Sequence, residues 1–320
     1  MTARIKPATL LLSILTCALA RAADAPQDLL ASGSVDQAIQ SLQGQINDSP
    51  TAAAYNLLCR SYYTLDEWDR GIPACEKAVA LEPGNGLYHL WLGRIYGEKA
   101  DRVSFLRAAG MAKKVRIEFE RAVELSPESW EARTDLAEFY LEAPGIVGGG
   151  KDKARAEAEL IAPENPAMAH WVKGRLAEKN DDTAAAEQEY RAAIAASHGG
   201  AHAWLNLALF YRHTGRFQPM EEALRTLESA PLDRPESLMD GATILLRTNR
   251  DLPLATRLLR RYLASSPKVE EAPVFKAHYL LGELLEKQGD DPAAATEYRA
   301  SLALARNFSK AQLGLKRVEH

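Results

Sequence analysis

Trp204-Leu205-Asn206-Leu207-Ala208-Leu209-Phe210-Tyr211 decides the fold of this 320-residue chain. An aromatic is followed after two residues by Leu and a small residue, and after two more by Tyr, a spacing that lines one face of a helix. The pattern returns as Tyr55…Leu58-Cys59…Tyr62, His89…Leu92-Gly93…Tyr96, Arg133…Leu136-Ala137…Tyr140 and, more loosely, His278…Leu281-Gly282…Leu285. A period of about 34 residues is that of stacked helical hairpins, each burying its apolar face only against its neighbours. The chain is expected to be all-α, one continuous elongated domain. A solenoid of this kind displays a surface and does not by itself supply chemistry.

Working outward, residues 201–267 read as two units, the second carrying Gly241, Ala255 and Tyr262; 167–200 carries Gly174, Ala186, Tyr190 and Ala193; 275–306 carries Gly282, Gly289, Ala294 and Tyr298. Residues 52–85 form a unit ending at Pro83-Gly84. Pro73 falls in the first turn of its second helix if Asp69 is the cap, and kinks that helix if it begins at Asp66. Two units are irregular. In 86–127 the packing residues Phe119 and Ala122 lie about ten positions too far from Tyr96 for the repeat, which predicts an insertion over 97–114. In 130–163 the segment Ala143-Pro144-Gly145-Ile146-Val147-Gly148-Gly149-Gly150 forms a glycine-rich loop over 143–150. Residues 23–50 read as a capping half-unit and 309–320 as a closing helix.

Residues 1–22 differ: Arg4 and Lys6 precede the apolar run Ala8 to Ala20, and Ala20-Arg21-Ala22 matches a signal-peptidase site. Cleavage after Ala22 predicts a periplasmic or secreted protein with no membrane span in the mature chain. Cys17 follows Thr16, against a lipidation site. Cleavage removes three cations and no acid, so the formal charge moves from −4 to −7, which argues against nucleic acid as a partner. Cys59 and Cys75 then remain, each eight residues from Glu67 and so about 12 Å along its own helix from the turn. A disulfide and a pair of small buried packing residues are both open.

With Leu90-Trp91-Leu92-Gly93-Arg94-Ile95-Tyr96 and the other repeats in place, the chain resembles a tetratricopeptide-repeat protein over nearly all of its mature length. With the loop 143–150, it is similar to exported bacterial members without a defined activity. The resemblance implies a right-handed superhelical solenoid of antiparallel helix pairs that binds a protein or peptide on the concave face lined by first helices, or assembles through its convex face and ends.

Little in the chain looks catalytic. Gly145-Ile146-Val147-Gly148-Gly149-Gly150-Lys151 spells a phosphate loop up to Asp152, where Ser or Thr is needed for magnesium, and it follows a helix rather than a strand. His198 and His202 flank Gly199-Gly200, so no metal site is expected. His89, His170 and His278 occupy bulky packing slots, and Glu118, Glu120 and Glu124 alternate with Arg116 and Arg121 as a solvated face would. Neither enzyme activity nor a cofactor is expected.

Two surfaces are candidates for binding. Both irregular turns emerge on one edge, bringing Lys99, Arg102, Arg107, Lys113, Lys114 and Lys151 beside Gly148, Gly149 and Gly150, a cationic edge suited to an anion or an acidic peptide. In the groove, Asn56, Arg60 and Tyr63, then Leu90 and Arg94, Trp171 and Arg175, and Asn206 and Leu209 should project from first helices. In family members that grip a terminal carboxylate, Asn, Lys and Arg occupy comparable slots; Asn56 and Arg60 recover part of such a clamp. The expected function is a non-catalytic binding scaffold of the cell envelope. The alternatives are an envelope assembly subunit, using its ends around Leu313 and Leu315, and, remotely, a nucleotide-binding enzyme.

Overall fold

A computed structural model describes residues 25–319; the expected leader and Cys17 lie outside them. Among the described residues there are seventeen α-helices and one 3-10 turn, and no strand. Two helices, α1 (Pro26–Ala31) and α2 (Val35–Asp48), precede six antiparallel hairpins and a seventh layer: α3 (Ala52–Thr64) with α4 (Trp68–Leu81), α5 (Gly86–Ala100) with α6 (Phe105–Leu125), α7 (Trp130–Glu142) with α8 (Lys151–Ile161), α9 (Pro166–Glu178) with α10 (Thr183–Ala196), α11 (Ala201–His213) with α12 (Phe217–Ser229), and α13 (Glu236–Thr248) with α14 (Leu252–Ala264). That seventh layer is α15 (Val274–Lys287) with α16 (Asp291–Leu304), closed by α17 (Ser309–Val318). The architecture is a tetratricopeptide-like helical solenoid.

Helix starts follow local chemistry. The side chains of Thr51, Asn85, Ser129, Asn165, Asp182, Asp251 and Asp290 each accept a backbone N–H of the first turn, satisfying a donor with no intrahelical partner. The repeat's small slot has a steric cause: a Cβ on Gly282 would stand 2.6 Å from the Tyr298 ring of the paired helix. The recurring tyrosine buries its ring while its hydroxyl donates to a carboxylate, as Tyr96 does to Glu76 at 2.6 Å and Tyr211 to Glu187 at 2.8 Å. Such satisfied aromatics supply apolar burial without an orphaned hydroxyl. His89, His170 and His278 share a related device, each ring nitrogen 2.6–2.7 Å from a glutamate of its own unit. Glu118 and Glu120 are therefore acceptors, for His89 and the Tyr140 hydroxyl, and not members of a merely solvated face.

One expectation changes, and one pair of alternatives is decided. The insertion over 97–114 is not an enlarged loop: α5 runs on to Ala100 and α6 starts at Phe105, so only four residues connect them. The inserted stretch is rich in Ala and Lys and free of proline, so it orders by extending helices. The second helix of the first full unit begins at Trp68 after Glu67, which puts Pro73 inside it and leaves the Asp69 carbonyl without its usual amide partner. The ends of the solenoid, moreover, are not both free.

They meet. Gly33, in the left-handed region at φ 82°, packs against Val274, and Leu30, Val35 and Ala38 share one core with Phe275 and Phe308. Asp36 accepts the backbone N–H of Arg306 at 2.9 Å; Asp66 takes Lys276 at 2.9 Å and Lys310 at 2.7 Å. The superhelix thus closes into a ring, and the segment 265–273 between α14 and α15 crosses its interior as a strap. Lys268 anchors the strap by donating to the Tyr262 and Leu263 carbonyls at the C-terminus of α14, where a cation complements the exposed acceptors.

Candidate functional site

First helices α3, α5, α7, α9 and α11 present their inner faces to the ring interior, where three cavities of 520, 500 and 630 Å³ adjoin. Tyr63, Arg94 and Asp135 border the first two, and Trp130, Met168 and Arg234 border the first and third, so they form one continuous inner surface.

Of the groove residues singled out from sequence, Arg60, Tyr63, Leu90, Arg94 and Asn206 line these cavities. Trp171 and Leu209 pack against the core, and Asn56 is buried with its amide nitrogen unpartnered among the described residues. Arg175 turns to Glu142 and Glu178, bridging α7 and α9. The partial carboxylate clamp is already filled: Arg60 donates through Nε and Nη2 to both oxygens of Glu270, at 2.8 and 2.6 Å. Trp91, which sequence reading left aside, is the platform here. The guanidinium carbons of Arg60 and Arg94 stand 5.0 and 4.8 Å from its ring centroid, and the Tyr63 ring meets it edge-on. Arg94 is paired with Asp135 at 2.6 Å.

The carboxylates are the larger population. Glu138 reaches water from the wall of the 500 Å³ cavity, and Asp240, also reached by water, lies one turn after Glu236 on α13. Burial and the neighbouring Asp135 push the Glu138 carboxyl up, and burial with Glu236 pushes Asp240 up to about 6. Burial likewise raises Glu270, with Arg60 pulling the other way. His202 is held neutral, down to about 3, by burial and then by Arg234. Sequence reading followed the arginines and passed over Asp135, Glu138 and Glu142, although their spacing along α7 already placed three acids near one another.

The cationic edge is largely spent on the protein itself. Lys99 pairs with Asp69, Arg102 lies over Trp68, Lys114 over Tyr96, and Lys151 donates to Asn180 at 2.8 Å. Arg107 and Lys113 are exposed and without an ion-pair partner among the described residues. The glycine loop is closed too. Gly148, Gly149 and Gly150 donate their N–H groups to the carbonyls of Gly145, Pro144 and Tyr140, so none points outward as a phosphate cradle requires. A Cβ on Gly149 would collide with the Ala143 carbonyl oxygen, which is why glycine stands there. Among the described residues, no three His, Cys, Asp or Glu side chains gather as a metal site, and no helix is long and apolar enough to cross a membrane. His198 sits in a turn at φ 53°, and His202 opens α11. Cys59 and Cys75, on the facing helices α3 and α4, have Cα atoms 5.2 Å apart and sulfurs in bonding contact.

Residues 172–233 and 242–309 match the tetratricopeptide-repeat family model, and the chain carries such repeats. Over 132 residues, 38% of this chain, it is 30% identical to sperm-associated antigen 1 of Rattus norvegicus and spans 15% of that protein. The crystal structure of yeast Tom70 is similar over 89% of this chain and 58% of its own, with a TM-score of 0.52 and 16% identity, which shows a shared fold. A tetratricopeptide repeat protein from Parabacteroides merdae aligns over 88% of this chain and all of its own, at a TM-score of 0.39 and 17% identity.

Proposed function

We propose that this repeat-bearing chain is a non-catalytic scaffold of the cell envelope that binds a protein or peptide on the inner surface of its closed solenoid. The observation that carries the reading is the continuous inner surface, where the half-buried Tyr63 and Trp130 offer aromatic contact between fixed charges and the buried Leu90, Trp91 and Met168 support them. Aromatic anchors on rigid helices bind without first having to be ordered. Export is supported by the composition of residues 1–22 and by the juxtaposed Cys59 and Cys75, whose pairing as a disulfide belongs to an oxidising compartment. Against assembly through the ends stands the contact between α1–α3 and α15–α17, although Leu313 remains exposed. Against nucleotide chemistry stand the inward-bonded amides of Gly148 to Gly150.

The test is photocrosslinking in cells of the full chain carrying a photoreactive residue at Tyr63 or Leu90, at Lys113 on the edge, or at Leu313 on the terminal helix. A partner captured at Tyr63 and Leu90 supports the inner surface. Capture only at Lys113 moves the site to the edge, and capture of the chain's own copies at Leu313 replaces the scaffold by an assembly subunit.

A further inference from the structure

The inner surface is not electrically neutral. Among the described residues, the three adjoining cavities are lined by three arginines, Arg60, Arg94 and Arg234, and by eleven carboxylates. Each arginine is consumed by a carboxylate of the same wall, Glu270, Asp135 and Glu236, at 2.5–2.6 Å. Glu142 is neutralised from outside the cavities by Arg175 and Lys179. The other seven, among them Glu131, Glu138, Glu164 and Glu271, have no cationic partner among the described residues.

Glu131, Glu138, Glu164 and Glu271 are exposed to water in these cavities, so their mutual repulsion is screened, and an occupant of opposite charge would gain the attraction of several carboxylates at once. Glu138 is the sharpest case: it faces the 500 Å³ cavity, has neither ion pair nor hydrogen bond among the described residues, and lies on the same helix as Asp135 and Glu142. A second observation fixes the shape of an occupant. The strap 265–273 already crosses this interior without helix or strand, and Val269, Glu270 and Glu271 border the cavities it leaves beside it. The space therefore accommodates an extended chain. Trp130, half-buried at the junction of two cavities, supplies apolar contact between the acids.

We infer that the partner enters this interior as an extended basic segment, whose lysine or arginine side chains meet the unpaired carboxylates along α7 and the strap while its backbone or apolar side chains lie on Trp130. This rests on the inner surface being the binding surface. It reverses the sign of partner expected from the arginines, because those arginines serve the protein's own closure, leaving the carboxylates to face a ligand. Charge complementarity of this kind sets orientation and association rate and weakens with salt.

The experiment uses the full chain and three probes: a fluorescein-labelled dodecapeptide of alternating lysine and serine with blocked ends, its glutamate–serine counterpart, and spermine as competitor. Anisotropy is read at 50 and 300 mM salt. The basic peptide is expected to bind, at least tenfold more weakly at the higher salt, and the acidic peptide to give no change. Glu131→Gln/Glu138→Gln/Glu271→Gln should lose at least tenfold in affinity, and each single substitution part of that. Glu128→Gln/Glu222→Gln/Asp291→Asn, which removes exposed acids outside the cavities, should stay within twofold. None of the three inner glutamates has an ion-pair partner, so their amides should leave the fold intact, as circular dichroism would show. Silence of the basic peptide, equal binding of the acidic one, equal loss in the two triple variants, or displacement by spermine at equal charge would each overturn the inference. If the peptides fail while Tyr63 still captures a partner in cells, only the basic character falls; if Tyr63 captures nothing, the inner-surface reading falls with it.

Discussion

Arg60 and Glu270 are 210 residues apart in sequence and form a two-point ion pair across the ring interior. Both side chains are largely buried, so each charge depends on the other for the solvation it has lost. The pair ties α3 to the strap and, with Asp66 holding Lys276 and Lys310, fastens the first full unit to the last.

Removing one partner should therefore cost more than removing both. Glu270→Leu and Arg60→Met are each expected to lower unfolding free energy by about 3 kcal/mol, and Arg60→Met/Glu270→Leu by clearly less. Urea unfolding of the four proteins checks this; additive losses would mean that no coupling exists across the ring.

A bond between Cys59 and Cys75 would close a short loop, with a sequence separation of 16. Its reduction should lower stability by about 3 kcal/mol if the bond acts through the unfolded chain. Thiol titration of the denatured, unreduced protein should find neither Cys59 nor Cys75 free, and thermal melts with and without reductant should separate. Two titratable thiols would leave them as packing residues.

Asp240 makes a pH prediction. Its carboxyl is pushed up to about 6 by burial and then by Glu236, from a usual value near 3.8. An acid raised in the fold contributes stability that is present below about 3.8 and lost as pH rises through about 6. Asp240→Asn removes that loss. The variant should be more stable than the parent at pH 7.5, by about 1 kcal/mol given that water reaches the carboxyl, and the difference should shrink towards pH 4. Chemical denaturation at the two pH values reads it directly; a variant less stable at pH 7.5 contradicts the assignment.

The glycine loop should respond position by position. Gly149→Ala places a methyl against the Ala143 carbonyl and is expected to cost about 2 kcal/mol, whereas Gly145→Ala has open space and should change little. Neither the parent nor Lys151→Ala should bind ATP in a calorimetric titration, because the amides of Gly148 to Gly150 are already bonded within the turn.

Much of the helical framework could be read from residues that act locally. Thr51, Asn85 and Asp290 cap helices through their own first turns, and the Leu, small residue and Tyr spacing writes one packing face per helix. The inserted stretch 97–114 was harder, since an excess of residues over a period shows that something is added and not whether it coils or extends a helix. Of the inner residues, Arg60, Tyr63, Leu90, Arg94 and Asn206 were visible because helical phase alone turns them inward.

What the sequence by itself determined is the hairpin stack, its small-to-aromatic packing and the inward phase of the first helices, all set by neighbours within about one repeat period. Tertiary structure decided the rest. Curvature accumulated over the units brings α1–α3 against α15–α17, and only then do Arg60 and Glu270 meet. Whether an arginine faces a ligand or its own chain is a matter of that closure, and so is the sign of the inner surface: Coulomb interactions depend on distance through space, which a repeat pattern does not contain.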